Sequence, residues 1–220
     1  MTLYLDTADR ALWHELMPTG LFHGITTNPL LAARAGLDYP AIDWSDMAGR
    51  AAELGAVELH AQVFGPPEGY VDWAGDLYAA GRAAGIETVV KIPLVAAAIR
   101  ATPAIKALGG RILMTACYDA KQMFVAKALG ADFIAPYFGR MAEAGIDAMA
   151  HLATMARMNT GTGTPCTVLV ASLRTPEQMV ALAEVGHDCF TISPEVARAL
   201  LDCPQSIAAF ESFEATIKSR

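Results

Sequence analysis

The chain has 220 residues, of which 54% are hydrophobic and 18% charged, and its 16 basic and 23 acidic residues give a formal net charge of −7. This composition predicts a packed globular core, and the lack of a basic run argues against a nucleic-acid partner. The longest apolar stretch, residues 89–99, is short and contains Lys91, so we expect no membrane span.

Eight short segments rich in apolar and β-branched residues begin soon after glycine or a polar turn, which is typical of buried strands. We predict strands at residues 3–6, 24–26, 57–64, 88–93, 111–116, 133–136, 167–171 and 189–192. Segments with helical spacing separate them and often begin at a capping residue or a proline. The clearest are residues 43–54, 67–84 and 119–129, a segment that starts at Thr175, and a last helix from Pro204 to about Lys218.

The alternation of eight strands with helices predicts an α/β fold, namely a (β/α)8 TIM barrel. We expect residues 1–220 to form a single domain, with residues 204–218 as an extra C-terminal helix. An open doubly wound sheet is the alternative. The chain has neither G-x-G-x-x-G after the first strand nor G-x-x-x-x-G-K-[ST], which disfavours the nucleotide-binding versions of that alternative.

The four cysteines contain no C-x-x-C pair and lie at Cys117, Cys166, Cys189 and Cys203. We therefore predict reduced thiols in the core, without disulfides or a redox motif. The first residues, MTLYLDT, show neither a charged leader nor a cleavable apolar segment. This start predicts a cytoplasmic protein.

Polar residues stand at or just after the end of every predicted strand. In a barrel of this kind the catalytic groups lie at the C-terminal ends of the strands or in the loops after them. We therefore expect one barrel mouth to gather Asp6, Thr26, Thr27, Asn28, Gln62, Lys91, Thr115, Tyr118, Tyr137, Arg140, Ser172, Arg174 and Ser193.

Lys91 is the most informative of these residues because it lies in an apolar strand, Val-Val-Lys-Ile-Pro. Burial lowers the pKa of a lysine, and the resulting neutral amine can attack a ketone to form an iminium. The alternative is a lysine that extends from the strand end to solvent. Asp6 offers a carboxylate for proton transfer at the same mouth, or else an ion-pair partner or helix cap.

Arg140 and Arg174, with Ser172 close by, suit a dianionic phosphate because guanidinium groups form bidentate, charge-assisted hydrogen bonds. Each arginine is equally compatible with a solvated surface position. The remaining polar residues are also ambiguous when taken singly, because an amide or hydroxyl at a strand end serves packing as readily as binding. They are Gln62, Thr26, Thr115 and Tyr137.

A catalytic metal site in such a barrel requires clustered histidine ligands. The histidines here are scattered, without H-x-H or H-x-x-x-H spacing, at His14, His23, His60, His151 and His187. Strand alternation places His60 on the same side as Gln62, and it is the one histidine predicted near the site. We expect neither a metal nor another cofactor.

Seven motifs occur in order between residue 3 and about residue 176: LYLDTAD (3–9), GITTNPLL (24–31), HAQVFG (60–65), VVKIPL (89–94), TACYDAKQ (115–122), ADFIAPYFGR (131–140) and ASLRTP (171–176). On these motifs and their spacing, the chain resembles the transaldolase family, and within it most closely the small bacterial fructose-6-phosphate aldolase branch. The resemblance implies a Schiff-base enzyme that acts on a sugar or sugar phosphate without a cofactor.

The resemblance also implies roles for individual residues. The implied catalytic set is Lys91 for the Schiff base, Asp6 for proton transfer, and Gln62, Thr115 and Tyr137 for the catalytic water and the departing hydroxyl. The implied substrate-binding set is Thr26 and Asn28 for the donor hydroxyls, and Arg140, Ser172 and Arg174 for phosphate. The family further implies a homo-oligomer, a decamer of two pentamers, in which residues 204–218 pack on a neighbouring subunit.

Two sequence positions help to distinguish the aldolase branch of the family from transaldolases proper. Transaldolases proper carry glutamate where this chain has Gln62 and phenylalanine where it has Tyr137, whereas Phe138-Gly139 is transaldolase-like. We therefore expect reversible cleavage of fructose 6-phosphate, or a related ketose, to dihydroxyacetone and an aldehyde such as glyceraldehyde 3-phosphate. One alternative is a transaldolase, which transfers the dihydroxyacetone unit from a ketose phosphate to an aldose phosphate. The other is a barrel that binds sugar phosphates without turnover.

Overall fold

The computed structural model describes residues 1–160 and 165–218, and in this part of the chain strands alternate with helices. The strands are β1 (Thr2–Asp6), β2 (Gly24–Thr26), β3 (Glu58–Gln62), β4 (Glu87–Pro93), β5 (Arg111–Cys117), β6 (Phe133–Pro136), β7 (Thr167–Val168) and β8 (Cys189–Ile192). The helices are α1 (Arg10–Leu16), α2 (Pro29–Arg34), α3 (Trp44–Glu53), α4 (Tyr70–Ala84), α5 (Ala96–Ile99), α6 (Thr102–Ala107), α7 (Gln122–Ala128), α8 (Phe138–Glu143), α9 (Ala148–Asn159), α10 (Pro176–Glu184), α11 (Pro194–Leu201) and α12 (Pro204–Lys218).

The eight strands form one parallel sheet in the order β8-β1-β2-β3-β4-β5-β6-β7. Its two ends meet where Val170 pairs with Phe190. The Val170 N–H donates to the Cys189 carbonyl at 2.9 Å, and the Thr191 N–H donates to the Val170 carbonyl at 2.9 Å. The sheet therefore closes on itself, which confirms the (β/α)8 barrel and rejects the open doubly wound sheet.

Several predicted boundaries differ from the structure. The third strand was predicted over residues 57–64 but covers Glu58–Gln62, and the helix predicted over residues 67–84 begins at Tyr70. The seventh strand was predicted over residues 167–171, but the regular ladder ends at Val168 and only isolated bridges lie beyond it. The helix predicted from residue 119 begins at Gln122, because the Gln122 Oε1 atom accepts hydrogen bonds from the backbone N–H groups of Tyr118 and Asp119. This side-chain turn satisfies backbone donors and delays the helix.

Apolar side chains fill both faces of the closed sheet. The larger cluster lies between strands and helices and includes Leu5, Ile25, Leu59 and Ile112, each fully buried. A smaller cluster fills the barrel interior and comprises Tyr4, Val89, Leu113, Phe133, Ala135, Leu169, Ala171 and Cys189. Because alternate residues of a strand point to opposite faces, one strand serves both clusters.

The cysteines partly match their prediction. Cys117, Cys166 and Cys189 are free and buried, as expected for core thiols. Cys203 is free but exposed, so the core assignment was wrong for this residue. It precedes α12, a helix without buried residues, and therefore has no core to enter.

A charged cluster closes the barrel interior at the N-terminal ends of the strands. The Glu58 carboxylate accepts hydrogen bonds from the Tyr4 hydroxyl and His60 Nε2, both at 2.8 Å, and forms an ion pair with Arg111. Burial raises the pKa of Glu58, but the contacts with His60, Tyr4 and Arg111 outweigh it and hold the pKa at about 2. A buried carboxylate is tolerated here because three donors satisfy it.

Among the described residues, no helix is both long and apolar enough to cross a bilayer. The last helix, α12, matches the predicted extra C-terminal helix in position. Its apolar residues Ile207, Phe210, Phe213 and Ile217 are exposed in the single chain.

Candidate active site

A cavity of about 360 Å³ opens at the C-terminal ends of the strands. Nine of the ten residues with implied catalytic or binding roles line it: Asp6, Thr26, Asn28, Lys91, Thr115, Tyr137, Arg140, Ser172 and Arg174. Of the other three residues predicted at the barrel mouth, Ser193 lines the cavity, whereas Thr27 and Tyr118 do not. The cavity wall also contains polar residues that the sequence did not single out, namely Arg34, Glu143 and Thr191. Closure of the barrel thus brings residues from distant parts of the chain to one place.

Lys91 lies late in β4, and only 5% of its surface is exposed. Its Nζ atom donates a hydrogen bond to the Thr27 carbonyl at 2.8 Å, and the Thr27 N–H is itself bonded to the His60 carbonyl. Burial lowers the pKa of Lys91, and the charge of Asp6 opposes this shift. The side chain does not extend to solvent, so the amine is held inside the barrel in an environment that favours its neutral, nucleophilic form.

Asp6 is held in place by a chain of hydroxyl groups. The Thr26 hydroxyl donates to Asp6 Oδ1 at 2.6 Å, and the hydroxyls of Thr26 and Thr191 are 2.5 Å apart. Because Thr26 has one hydroxyl proton and gives it to the carboxylate, Thr191 is the donor to Thr26. The helix-cap alternative for Asp6 is wrong, since Asp9 caps α1. Asp6 therefore presents an oriented carboxylate beside Lys91.

Thr115 and Tyr137 form a hydroxyl pair on neighbouring strands, with their oxygens 2.8 Å apart. Burial raises the pKa of Tyr137, and the hydrogen bond from Thr115 opposes the shift. The phenol is therefore protonated at neutral pH and can donate a proton or relay one. The ring is fixed by Tyr118, at 5.6 Å between centroids, and by the Arg140 guanidinium, which lies 4.9 Å from its centroid.

Gln62 stands apart from the other predicted residues because it does not line the cavity. It pairs in register with Lys91 across β3 and β4, so the two side chains share one face of the sheet. Its backbone is held by the Tyr39 hydroxyl, which accepts from the Gln62 N–H and donates to the Gln62 carbonyl, each at 2.8 Å. The structure places Gln62 beside Lys91, and its proposed contact with a catalytic water stays a prediction.

Asn28 lines the cavity and also caps the N-terminus of α2. Its Oδ1 atom caps α2 by accepting hydrogen bonds from the N–H groups of Leu30 and Leu31, at 2.9 and 3.1 Å. The cap fixes the amide orientation and leaves its NH₂ group as the end that can meet a ligand. A donor in this position suits a substrate hydroxyl oxygen.

Ser172 and Arg174 lie after the β7 strand at the far side of the cavity. Ser172 adopts a left-handed backbone conformation with φ 63°, and its buried hydroxyl makes no hydrogen bond within the described residues. Arg174 donates from Nε to Glu143 at 2.8 Å and from Nη1 to the Ser172 carbonyl at 3.1 Å. Strained backbone with an unpaired buried hydroxyl is a common feature of binding sites.

Gly139 is required for this arrangement. A Cβ atom at Gly139 would lie 2.1 Å from the Ser172 carbonyl oxygen and 3.2 Å from the Arg174 guanidinium carbon. Its N–H donates to the same Ser172 carbonyl at 3.0 Å. The transaldolase-like Phe138-Gly139 pair therefore has a structural reason, because any side chain here would displace Ser172 and Arg174.

His60 was the one histidine predicted near the site, and the structure places it in the charged cluster beneath the cavity. Its Nε2 atom contacts Glu58, and burial is the main reason why its pKa is lowered to about 4. Within residues 1–160 and 165–218, no group of three or more His, Cys, Asp or Glu side chains is arranged to hold a metal ion.

Replacing Lys91 with methionine tests the cost of burying this amine. A lysine whose pKa is lowered by folding destabilises the native state at every pH below its unfolded pKa, so at pH 7 Lys91→Met is expected to raise the free energy of unfolding by about 1–4 kcal/mol. Denaturant unfolding measures this. Lys121→Met makes the same charge change at an exposed site and should stay close to wild type. A Lys91→Met protein that is less stable than wild type contradicts the expectation.

The chain matches the family model described as Transaldolase/Fructose-6-phosphate aldolase over residues 3–220. A probable transaldolase of Phenylobacterium zucineum is 32% identical over 222 residues, covering 97% of this chain and 94% of that protein. A probable transaldolase of Hyphomonas neptunium is 30% identical over 223 residues, covering 99% and 97%.

Two solved structures with similar folds share little sequence identity with this chain. The thiamine phosphate pyrophosphorylase from Pyrococcus furiosus superposes with a TM-score of 0.62 at 12% identity, covering 90% of this chain and 91% of that one. A mandelate oxidase variant gives a TM-score of 0.59 at 16% identity, covering 93% and 68%. At these identities the likeness supports only the barrel fold. The match to the family model over nearly the whole chain decides membership, and this protein belongs to the transaldolase/fructose-6-phosphate aldolase family.

Proposed function

We propose that this protein is a class I aldolase that attaches its substrate to Lys91 as a Schiff base. The substrate is fructose 6-phosphate or a related ketose, cleaved reversibly to dihydroxyacetone and an aldehyde such as glyceraldehyde 3-phosphate. The observation that carries the proposal is the buried Lys91 amine, with its lowered pKa, in a cavity that also contains Asp6 and three arginines. Family membership supports transaldolase-type chemistry in general.

The first step is attack of the neutral Lys91 amine on the ketone carbon. The carbonyl oxygen takes up a proton to give a carbinolamine, which then loses water to form an iminium. Asp6 is suited to move these protons because Thr26 orients its carboxylate at 2.6 Å. The hydrogen bond from Lys91 to the Thr27 carbonyl directs the amine before the attack.

The second step breaks the bond between the third and fourth carbons of the ketose. The hydroxyl on the fourth carbon loses its proton as its oxygen becomes an aldehyde, and the bonding electrons pass into the iminium to give an enamine. The Thr115–Tyr137 pair is suited to relay that proton, through a water, to the Asp6 carboxylate, because its hydroxyls lie 2.8 Å apart in the wall of the cavity that Asp6 also lines. Arg140, Ser172 and Arg174 are proposed to hold the phosphate at the other end.

The fate of the enamine separates the aldolase from the transaldolase. In the aldolase the enamine is protonated and hydrolysed, and free dihydroxyacetone leaves. In the transaldolase it persists until an aldose accepts the three-carbon unit. Gln62 and Tyr137, where transaldolases proper have glutamate and phenylalanine, favour release. Two relatives are named probable transaldolase, which favours transfer of the three-carbon unit as the second candidate function.

Reductive trapping tests the covalent step. Incubation with dihydroxyacetone or fructose 6-phosphate and borohydride should give a protein adduct, and peptide mass spectrometry should locate it at Lys91. Lys91→Met should give no adduct, and Lys121→Met should give the wild-type amount. An adduct that persists in Lys91→Met would falsify the mechanism, and so would the absence of any adduct in wild type, which would favour a binding protein without turnover.

Product analysis tests the fate of the three-carbon unit. With fructose 6-phosphate alone, wild type should release free dihydroxyacetone, and Tyr137→Phe should release it about 100-fold more slowly because a proton-transfer group is lost. Borohydride trapping should still give an adduct in Tyr137→Phe.

Tyr118→Phe is the matched control for this substitution, because Tyr118 packs against Tyr137 without lining the cavity. It should release dihydroxyacetone at the wild-type rate. The aldolase assignment fails if wild type releases no free dihydroxyacetone and, once erythrose 4-phosphate is added, transfers the three-carbon unit to it, in which case the protein is a transaldolase.

We further propose that the protein forms a homo-oligomer, a decamer of two pentamers, in which α12 packs on a second copy of the chain. The support is the exposed apolar face of α12, where Ile207, Phe210, Phe213 and Ile217 recur at helical spacing. No residue of α12 is buried in the single chain. An uncovered apolar face of this kind is typical of a surface that another molecule covers.

Light scattering after gel filtration tests this interface. Wild type should have the mass of a decamer, and the double substitution Phe210→Glu and Phe213→Glu should reduce the mass, because it places charges on the apolar face. The control, Ala208→Glu with Ser212→Glu, adds the same charge to the opposite face of α12 and should keep the wild-type mass. Equal masses for both variants, or a monomeric wild type, would rule out the proposed interface.

A further inference from the structure

We propose that Glu143 determines the phosphate selectivity of the cavity by occupying Arg174, so that a phosphorylated substrate must displace the Glu143 carboxylate before it can use that arginine. This inference deepens the proposed function and rests on it for the identity of the substrate. Glu143 was not among the residues that the sequence singled out. It is the last residue of α8 and lines the cavity.

Two N–H groups of the Arg174 guanidinium already donate hydrogen bonds within the protein. Nε donates to Glu143 Oε1 at 2.8 Å, and Nη1 donates to the Ser172 carbonyl at 3.1 Å. A guanidinium group binds carboxylates and phosphates bidentately through paired N–H groups. With Nε occupied, a phosphate cannot form the fork that includes Nε unless the Glu143 side chain moves.

The position of Arg174 is imposed by the surrounding backbone. Gly139 leaves room for its guanidinium carbon, which would lie 3.2 Å from a Cβ at that position. The neighbouring Ser172 adds a buried hydroxyl without a partner among the described residues, in the wall of the same cavity. Arg174 and Ser172 therefore form a built anion site, and Glu143 is a carboxylate that already occupies part of it.

The charge of Glu143 opposes a phosphorylated ligand. Hydrogen bonding to Arg174 lowers the pKa of Glu143, so its side chain is a carboxylate at neutral pH. A phosphate monoester carries close to two negative charges at pH 7, and its approach to this carboxylate is unfavourable. Either Glu143 leaves Arg174, or the phosphate relies on Arg140 and Ser172. Both outcomes weaken phosphate binding, whereas an unphosphorylated ketose meets no such opposition.

The first experiment compares Glu143→Gln with Glu184→Gln. Glu184 is also the exposed last residue of a helix, α10, so the control makes the same charge change away from the cavity. Calorimetry with inorganic phosphate at fixed ionic strength should show about threefold to fivefold tighter binding to Glu143→Gln, the range expected for one exposed ion pair. Glu184→Gln should bind like wild type. Equal gains in both variants, or no gain in Glu143→Gln, would overturn the proposal.

A second experiment tests whether the effect passes through Arg174. Arg174→Gln should weaken phosphate binding, and adding Glu143→Gln to Arg174→Gln should give a clearly smaller gain than in wild type, because the competition for Arg174 is gone and only the direct charge repulsion remains. A full gain in the Arg174→Gln background would show a general charge effect and contradict the proposal. In turnover assays, Glu143→Gln should lower the ratio of KM for fructose 6-phosphate to KM for fructose, and an unchanged ratio also contradicts it.

Binding of inorganic phosphate needs neither turnover nor a Schiff base. Failure of the Glu143 proposal therefore appears as unchanged phosphate affinity while Lys91 is still trapped by borohydride. Failure of the proposed function appears as the absence of the Lys91 adduct, whatever the phosphate affinity.

Discussion

The hydrogen bond from the Lys91 amine to the Thr27 carbonyl, inside a closed barrel, is the contact on which the rest of the site depends. It joins β4 to the loop after β2, and the Thr27 peptide is fixed in turn by the His60 carbonyl of β3. Three neighbouring parts of the barrel therefore hold one amine. Desolvation lowers its pKa, so the geometry that positions the nucleophile also makes it nucleophilic.

Burying a lysine opposes folding, and the apolar clusters on both faces of the sheet offset this cost. Residues such as Leu5, Ile25 and Leu59 are fully removed from solvent between strands and helices. Beneath the cavity, Glu58 and Arg111 belong to a charged cluster in which hydrogen bonds and an ion pair satisfy the buried Glu58 carboxylate, and this cluster closes the barrel. The barrel interior is therefore filled by side chains at the N-terminal ends of the strands and open at their C-terminal ends. This division leaves the reactive amine accessible from the C-terminal ends of the strands, as is usual in barrels of this type.

Residues from several strands contribute different chemical groups to the cavity wall. Lys91 comes from β4 and Asp6 from β1, Thr115 and Tyr137 form a hydroxyl pair, and Ser172 and Arg174 lie after β7. The wall therefore combines an amine, a carboxylate, hydroxyl groups and a guanidinium group. The left-handed backbone at Ser172 and the missing side chain at Gly139 show that the wall near Arg174 is shaped by the main chain as much as by the arginines.

Much of the architecture could be predicted from sequence because strand ends can be recognised locally. Alternation and turn residues located the eight strands, and three of them, at 24–26, 133–136 and 189–192, have the predicted bounds. The barrel rule then placed polar residues such as Lys91 and Asp6 at one mouth without any contact information. A local side-chain interaction explains the error at the start of α7. The Gln122 side chain bonds to the backbone before the helix, and the hydrophobic pattern of the sequence does not reveal this contact.

Other features depend on closure and became visible only in the tertiary structure. Thr191 of β8 meets Thr26 of β2 because both strands pair with β1, although the two residues are 165 positions apart in sequence. Glu143 reaches Arg174 because α8 packs beside the loop after β7. By itself the sequence determined the strand and helix order, the lysine late in an apolar strand and the chemical types gathered at one mouth, because these depend on short-range patterns. The tertiary structure alone decided which side chains share hydrogen bonds, because those distances are set by the closed sheet.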